Sequence, residues 1–375
     1  MKPIYFDYNA TTPPYPEVGE AMLPFLSTAY GNPSSIHAFG RQAKEALMVA
    51  KEKVSGFFGV DSDTLVFTSG GTESNNFALK GALEFLKSKG NHIVTSKVEH
   101  VSILDCCKYL ESKGVQVTYL DVNEAGLISL EELEKALTPQ TIFISIQTAN
   151  NETGVIQPIV EISALARARG ILFHSDIVQA VGKMELDFNL FDMASISTHK
   201  MYGPKGVGGL YLKKGLKLEA LIHGGNQERK RRGGTENLAG MVGFGKACEI
   251  LKEKMKEEIV QIQKHKERLE SFCKENFEVH INGEGAPRLC NTVNVTFPKI
   301  QSEALLLNLD LEGICASSGA ACSSGSLEPS HVLMAMGYDE ALALSSIRFS
   351  LGAQTSSEDL NRLFEVLPFV VQRLS

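Results

Sequence analysis

The chain holds no run of about 18 apolar residues, so no segment of it is expected to span a membrane. It has no CxxC pair and no histidine-rich tract, which removes the usual spacing of a structural zinc site; a resident metal is not expected. No GK[ST] follows its glycine-rich turns, which disfavours nucleotide hydrolysis. Positive charge is in deficit: 37 Lys and Arg against 44 Asp and Glu leave a net charge of −7. That balance argues against direct nucleic-acid binding and against adhesion to an anionic membrane surface. The opening MKPIYFDYNATTPPYP is broken by prolines and lacks the apolar stretch of an export signal, so a cytoplasmic location is expected. The N-x-[ST] sequons at Asn9, Asn151 and Asn294 then carry no meaning. The seven cysteines are odd in number and irregularly spaced, as free thiols in a reducing compartment would be. There is no internal repeat and no long low-complexity linker.

What is present is an ordinary globular composition, 43% hydrophobic and 22% charged over 375 residues, enough for two domains with their own cores. Short apolar runs at 64–69, 92–96, 116–122, 141–147, 171–175 and 193–198 read as strands. Helical patterns at 72–88, 100–113, 129–137 and 158–169 lie between them, the third opened by a capping box of Ser129 and Glu132. This alternation predicts an α/β fold with a mostly parallel sheet flanked by helices. After about residue 234 the pattern changes. A long helix is predicted over 237–276, with its charged stretch KEKMKEEIVQIQKHKERLE as a solvated face. Strands at 277–281, 292–297 and 345–350 and helices at 303–309 and 358–374 follow, the last with a capping box of Thr355 and Glu358. A large domain over 15–255 and a smaller α+β domain made of 1–14 and 256–375 are expected.

Several predicted strand ends carry reactive groups. In STHKMYGPKG, Lys200 ends a strand, where α/β sheets bind their ligands, and a desolvated amine there can form a Schiff base; a solvated loop lysine gives the same pattern. In FHSDIVQ, Asp176 ends an apolar strand, where an unpaired carboxylate is expensive to bury. A cationic ring nitrogen is one partner, as pyridoxal phosphate chemistry requires, with Gln179 in reach of the phenolic oxygen; a loop-capping aspartate is the other reading. In FTSGGTESNN, Gly70, Gly71 and Thr72 join a strand to a helix, which suits a phosphate but is also an ordinary junction. In SKVEH, His100 is placed to stack on a planar ring and shuttle protons, or merely to cap a helix. Asn150 and Asn151 end another strand, and the fork of Arg348 suits a substrate carboxylate or a surface salt bridge. One cysteine stands apart: Cys322, among the small residues of SSGAACSSGSLEPSH, is expected on an exposed loop where a thiol oxidises unless it has a task.

Taken in order from YFDYNATTPP through GNPSSIH, TSGGTESNN, SKVEH, ANNETGVIQ, HSDIVQ, STHKMYGPKG, RRGGTEN and SSGAACSSGSLEPSH to SSIRFSLG, the chain resembles, nearly end to end, the cysteine desulfurases of the NifS/IscS type. The resemblance implies a fold-type I PLP-dependent transferase, with pyridoxal 5'-phosphate as cofactor and a homodimer with shared active sites. It makes Lys200 the covalent anchor of the cofactor, Asp176 the partner of the ring nitrogen, Gln179 the neighbour of the phenolic oxygen and His100 the stacked imidazole. Gly71, Thr72, Ser197 and His199 match the phosphate set. Thr235 matches a threonine that reaches the phosphate of the neighbouring subunit, and Asn151 an asparagine beside the cofactor. Arg348 matches the clamp on the substrate carboxylate, with Asn32 assisting. Cys322 matches the catalytic cysteine, also a possible transient iron–sulfur ligand.

The activity so implied converts L-cysteine to L-alanine. Lys200 removes the Cα proton and the Cys322 thiolate takes the sulfur as a persulfide. An iron–sulfur scaffold protein or another acceptor, possible tRNA thiolation included, receives it. The spacing around Cys322 resembles the long-loop branch of the family. The chain stops soon after the last predicted helix, so the tail that longer members use to dock the scaffold is expected to be short. An aminotransferase or selenocysteine lyase on the same fold, and a non-catalytic iron–sulfur partner, are the rival readings. The first has no use for Cys322, and the last none for Lys200, Asp176 and His100.

Overall fold

A computed structural model describes residues 3–318 and 328–374. A two-residue strand, β1 (Ile4–Tyr5), leads into helices α1 (Pro16–Ser27) and α2 (Ala38–Phe58). Strands and helices then alternate: β2 (Leu65–Thr68), α3 (Gly71–Leu86), β3 (His92–Ser96), α4 (Val101–Glu111), β4 (Gln116–Leu120), α5 (Leu130–Ala136), β5 (Thr141–Ser145), α6 (Ile159–Ala168), β6 (Leu172–Asp176), β7 (Met193–Ser197) and β8 (Gly208–Leu212). The strands form one seven-stranded sheet in the order β2-β8-β7-β6-β5-β3-β4. All pairs are parallel except those of β8, which runs antiparallel to both β2 and β7. The predicted mostly parallel α/β sheet is the observed one.

The strands are apolar on both faces because both are covered. Successive residues point to opposite sides. Val66, Ile93 and Phe143 pack with Phe77 and Leu79 of α3 and Ile103 of α4, while their neighbours Phe67, Val94 and Ile144 share a core with Val54 of α2 and Ile162 of α6. Strand β8 has no counterpart among the predicted elements. Its sequence opens with glycines, which weaken a strand pattern. Here the glycine is required: a Cβ on Gly208 would stand 2.4 Å from the Ile196 carbonyl oxygen and 2.7 Å from Gly70 Cα.

The remainder comprises the 39-residue helix α7 (Leu238–Asn276), β9 (His280–Ile281), β10 (Thr292–Thr296), α8 (Ser302–Leu311), β11 (Ile314–Cys315), α9 (His331–Ala335), α10 (Glu340–Ala343), β12 (Ser346–Ser350) and α11 (Ser357–Leu374). Strands β12, β10 and β9 form an antiparallel sheet, and β1 pairs parallel with β11. Val293, Val295, Ile347 and Phe349 bury one core with Ile262 and Leu269 of α7 and Leu363 and Leu367 of α11. The first turns of α7 belong to the other core, through Phe244 and Leu251. No helix among the described residues is long and apolar enough to cross a membrane.

Of the two predicted capping boxes, one changed. Ser129 caps α5 as expected, its Oγ accepting from Glu132 N at 3.3 Å. The box at α11 forms one residue later than Thr355 and Glu358. There Ser356 Oγ accepts from Asp359 N at 3.1 Å and Asp359 Oδ2 accepts from Ser356 N at 2.8 Å. Thr355 Oγ1 is already committed, accepting from Gly352 N at 3.0 Å.

Candidate active site

Strands β2, β3, β5, β6 and β7 all run in one direction, so their C-terminal ends share one edge of the sheet. Ligands of open α/β sheets bind at that edge. The end of β2 supplies Gly70, at φ 151°, as the N-cap of α3. A Cβ on Gly71 would meet Val178 at 3.0 Å and Ser197 Cβ at 3.5 Å, so this turn and the end of β7 are in contact. Thr72 is exposed on the first turn of α3, beside N–H groups that a helix start leaves without helical acceptors. Glu73 locks the turn: its carboxylate accepts from Ser69 N at 2.8 Å and from Arg232 Nε at 2.9 Å. Arg232 thereby ties the 229–232 basic run to the seat, while Arg231 donates to the Asp63 and Leu65 carbonyls.

Asp176, the last residue of β6, is buried and doubly held. Its Oδ2 accepts from Asn75 Nδ2 at 2.7 Å and its Oδ1 from Val178 N at 3.0 Å. Asn75 Nδ2 also donates to Ser102 Oγ at 2.8 Å, and that hydroxyl lies 2.8 Å from His100 Nδ1. His100 caps α4, its Nδ1 accepting from Ser102 N at 3.1 Å. The ring edge is open to solvent, yet loss of hydration on its packed sides lowers its pKa, as does the charge of Lys200 and His331; Asp176 opposes them.

Lys200 closes a short 3₁₀ turn after β7, and Tyr202 two residues on sits at φ 62°, a left-handed backbone unusual for a bulky residue. Its amine donates to the carbonyls of Asn9 at 2.5 Å and Ala10 at 2.8 Å. Burial first, then the charges of Arg348 and Lys183, bring its pKa down to about 7 against the pull of Asp7 and Asp176. Lys183 is itself buried and lowered to about 8, and it donates to the carbonyls of Gln179 and Lys200. Gln179 Nε2 donates to Asn9 O at 3.0 Å. His199 accepts or donates at Thr11 Oγ1, 3.2 Å away, and is lowered to about 4 by burial and by Lys200.

Arg348, on β12, brings the smaller sheet to this edge. It is 4% exposed. Its Nη2 pairs with Asp7 Oδ1 at 2.7 Å, its Nη1 donates to Asn151 O at 3.0 Å, and its Nε has no partner. Ser330 and His331 also cross over. Ser330 Oγ donates to the Glu152 carboxylate, and His331 Nε2 lies 3.0 Å from the Glu99 carbonyl.

Of the residues singled out from sequence, Lys200, Asp176, His100, Gln179, Ser197, His199, Gly71, Thr72, Asn151 and Arg348 gather around this edge. Asn32 does not join them: it is exposed and spends its Oδ1 on Ser34 N at 2.9 Å. Thr235 is exposed, and no hydrogen bond links it to the cluster among the described residues. Cys322 lies outside the described residues. The described cysteines are unpaired: Cys106, Cys107, Cys248, Cys273 and Cys290 are buried and Cys315 is partly so. Among the described residues no group of three metal-ligating side chains converges.

The sequence reading missed Asn9, Asp7, Asn75, Ser102 and Glu99. Asn75 had a signal, lying one helical turn beyond Gly71 on a face that must meet the sheet. Glu99 is wholly buried; burial, reinforced by Asp176, raises it to about 8 despite hydrogen bonds from Gln147 N and Ser96 Oγ, and its Oε2 has no partner. The unfolded chain releases this proton near the ordinary value of about 4.3. Between the two values the folded state holds the extra proton, so the group's contribution to stability falls as pH rises through that window. Glu99→Gln removes the titration. Its thermal midpoint should exceed that of the native chain at pH 8, with the difference shrinking toward pH 5, as calorimetry at both values would register.

Residues 4–363 match the family described as Aminotransferase class-V. A cysteine desulfurase IscS of Dictyoglomus turgidum is 49% identical over 374 residues, covering 99% of this chain and 95% of its own. A solved NifS-like protein superposes with a TM-score of 0.93 at 37% identity, covering 99% of this chain and 100% of that one. A structure of SspA in complex with cysteine gives 0.82 at 37% identity, covering 94% and 100%.

Proposed function

The chain belongs to the Aminotransferase class-V family, among its cysteine desulfurases of the NifS and IscS type, and we propose that it moves sulfur from L-cysteine to its own Cys322 and releases L-alanine. The stoichiometry closes without an added oxidant. The Cβ–S bond of L-cysteine breaks, sulfur joins the Cys322 thiolate as a persulfide, and the carbon left behind gains the electron pair and a proton. Acceptors for iron–sulfur assembly then take the sulfur, with a tRNA-thiolation relay as a further outlet.

The family's cofactor is pyridoxal phosphate, and the residues fit it. A carboxylate fixed by two donors suits a protonated ring nitrogen. The glycine turn at the start of α3, packed on Ser197, suits a phosphate. Asn75 Oδ1 and Arg348 Nε are buried without partners beside them. When bound, the cofactor withdraws electrons from the substrate α-carbon. Lys200 would anchor it, with Asp176, His100, Gln179, Ser197, His199, Gly71, Thr72 and Asn151 holding ring and phosphate.

The observation that carries this reading is the amine of Lys200. It stands just past the end of β7, held by the Asn9 and Ala10 carbonyls, and burial lowers its pKa, which favours the free amine that bonds covalently and removes the proton from the substrate Cα. Arg348 holds the substrate carboxylate. Cys322, as thiolate, receives the sulfur. Thr235, apart from this cluster, serves the phosphate of a second copy in a homodimer.

The test follows the sulfur. Holoenzyme incubated with sulfur-labelled L-cysteine should carry label on Cys322 and release alanine. Cys322→Ala should keep the cofactor absorbance and lose both, a drop of about 10³-fold or more for removal of a catalytic nucleophile. Full alanine release from that variant sinks the assignment.

A further inference from the structure

The four side chains that run from β6 to the first turn of α4 fix more than position. We propose that Ser102 and Asn75 hold His100 as its Nε2–H tautomer, so that it offers the cleft a hydrogen-bond donor rather than a nitrogen able to take a proton. Asn75 and Ser102 are positioning residues in this account. They act through His100.

The supply of protons along this chain of side chains is fixed from its Asp176 end. Asp176 Oδ2 needs a donor from Asn75, so the amide nitrogen must face it, at 2.7 Å; the flipped amide would set oxygen against carboxylate. The same nitrogen gives its other proton to Ser102 Oγ at 2.8 Å. Having accepted there, the hydroxyl keeps its own proton to give, and the acceptor within reach is His100 Nδ1 at 2.8 Å. The backbone N–H of Ser102 points at that same Nδ1, at 3.1 Å. Two donors therefore converge on one ring nitrogen, and a proton on it would face both. A neutral imidazole must then carry its proton on Nε2.

Nε2 has no partner among the described residues, and the ring is open to solvent. The charged groups around the ring are mixed: Asp176 and Asp105 favour the cation, while Lys200 and His331 oppose it, and burial of the packed side opposes it most. The geometry and this balance agree on a neutral ring at neutral pH.

For a desulfurase the division of labour follows. His100 can donate Nε2–H to the substrate sulfur or carboxylate, while proton removal falls to the Lys200 amine. That consequence rests on the function proposed above. The tautomer does not.

Holoenzyme grown with ¹⁵N-histidine tests it, the His100 signals being those lost in His100→Gln. In the native protein at pH 7 the His100 nitrogens should show a protonated Nε2 and an unprotonated Nδ1. Ser102→Ala leaves only the backbone donor. The ring should then bind a proton about fivefold more tightly, the equivalent of one neutral hydrogen bond, and its titration midpoint should move up by less than one pH unit. Ser102→Thr should restore the native midpoint, and Asn75→Ala should move it as Ser102→Ala does. A proton on Nδ1, a doubly protonated ring at pH 7, or an unmoved midpoint in Ser102→Ala overturns the proposal. The expected tautomer in a protein that releases no alanine from L-cysteine would refute the function and leave the proton arrangement standing.

Discussion

Lys200→Ala is expected to abolish alanine release from L-cysteine, by about 10³-fold or more, while the protein stays folded. The two halves of that result have different causes. The loss follows from the role proposed for this amine, to anchor the cofactor and take the Cα proton. The purified variant should therefore lack the native absorbance band, and borohydride should fix nothing covalently to it. The tolerance follows from electrostatics. Lys200 is a poorly hydrated amine beside Arg348 and Lys183, which push its pKa down. Removing it relieves a like-charge contact and leaves the Asn9 and Ala10 carbonyls short of one donor. Those effects oppose each other, so the thermal midpoint should change little. A variant that simply failed to fold would contradict this account of the amine, and one that kept the native spectrum would contradict its role.

Arg348→Ala should behave oppositely on stability. The guanidinium is almost wholly buried and pairs with Asp7, which is itself partly shielded. Cutting the pair strands Asp7 and opens the Asn151 carbonyl, at a cost of about 2 kcal/mol, less than for a fully buried pair because Asp7 keeps some solvent. The catalytic effect adds to it. Charge-assisted hydrogen bonds to a carboxylate are worth about 1.5–3 kcal/mol, so KM for L-cysteine should rise about 10- to 100-fold, with kcat falling less. Arg348→Lys should recover much of the stability and little of the affinity, because a point charge cannot replace the planar fork. If KM is unchanged in Arg348→Ala, the carboxylate is held elsewhere.

Much of this site was legible before any coordinates. Parallel strands buried on both faces leave continuous apolar runs, and the polar residue that ends such a run is conspicuous. Asp176 and Lys200 stand out in that way, His100 by its place before a helix, and Ser197 only through the resemblance to the desulfurases. Strand β8 escaped because its opening glycines, needed where its backbone presses on Gly70, erase the pattern that marks a strand. The supporting residues escaped for a different reason. Asn9 donates to the Asn151 carbonyl, 142 residues away, and to Thr292, 283 residues away. No local spacing encodes such a partner. Asp7 was hidden likewise, its role set by an arginine from the far end of the chain. Ser102 sits in an ordinary helix start, where a serine has many uses.

The segment holding Asp7 and Asn9 bears on how the protein is made. Phe6 is buried in the core with Phe349, β1 pairs with β11, and Asn9 touches Asn291, Thr292 and Ser350 as well as Lys200. During translation these early residues emerge long before most of their partners exist. The alternating α/β unit can collapse without them, since its contacts are comparatively local, but the lysine end of the site stays open until the closing strands are synthesised. Such long-range closure is slow. Catalytic competence therefore waits on strand β12, when Asp7 and Asn9 are at last clasped by Arg348 and Ser350, the latter 341 positions beyond Asn9.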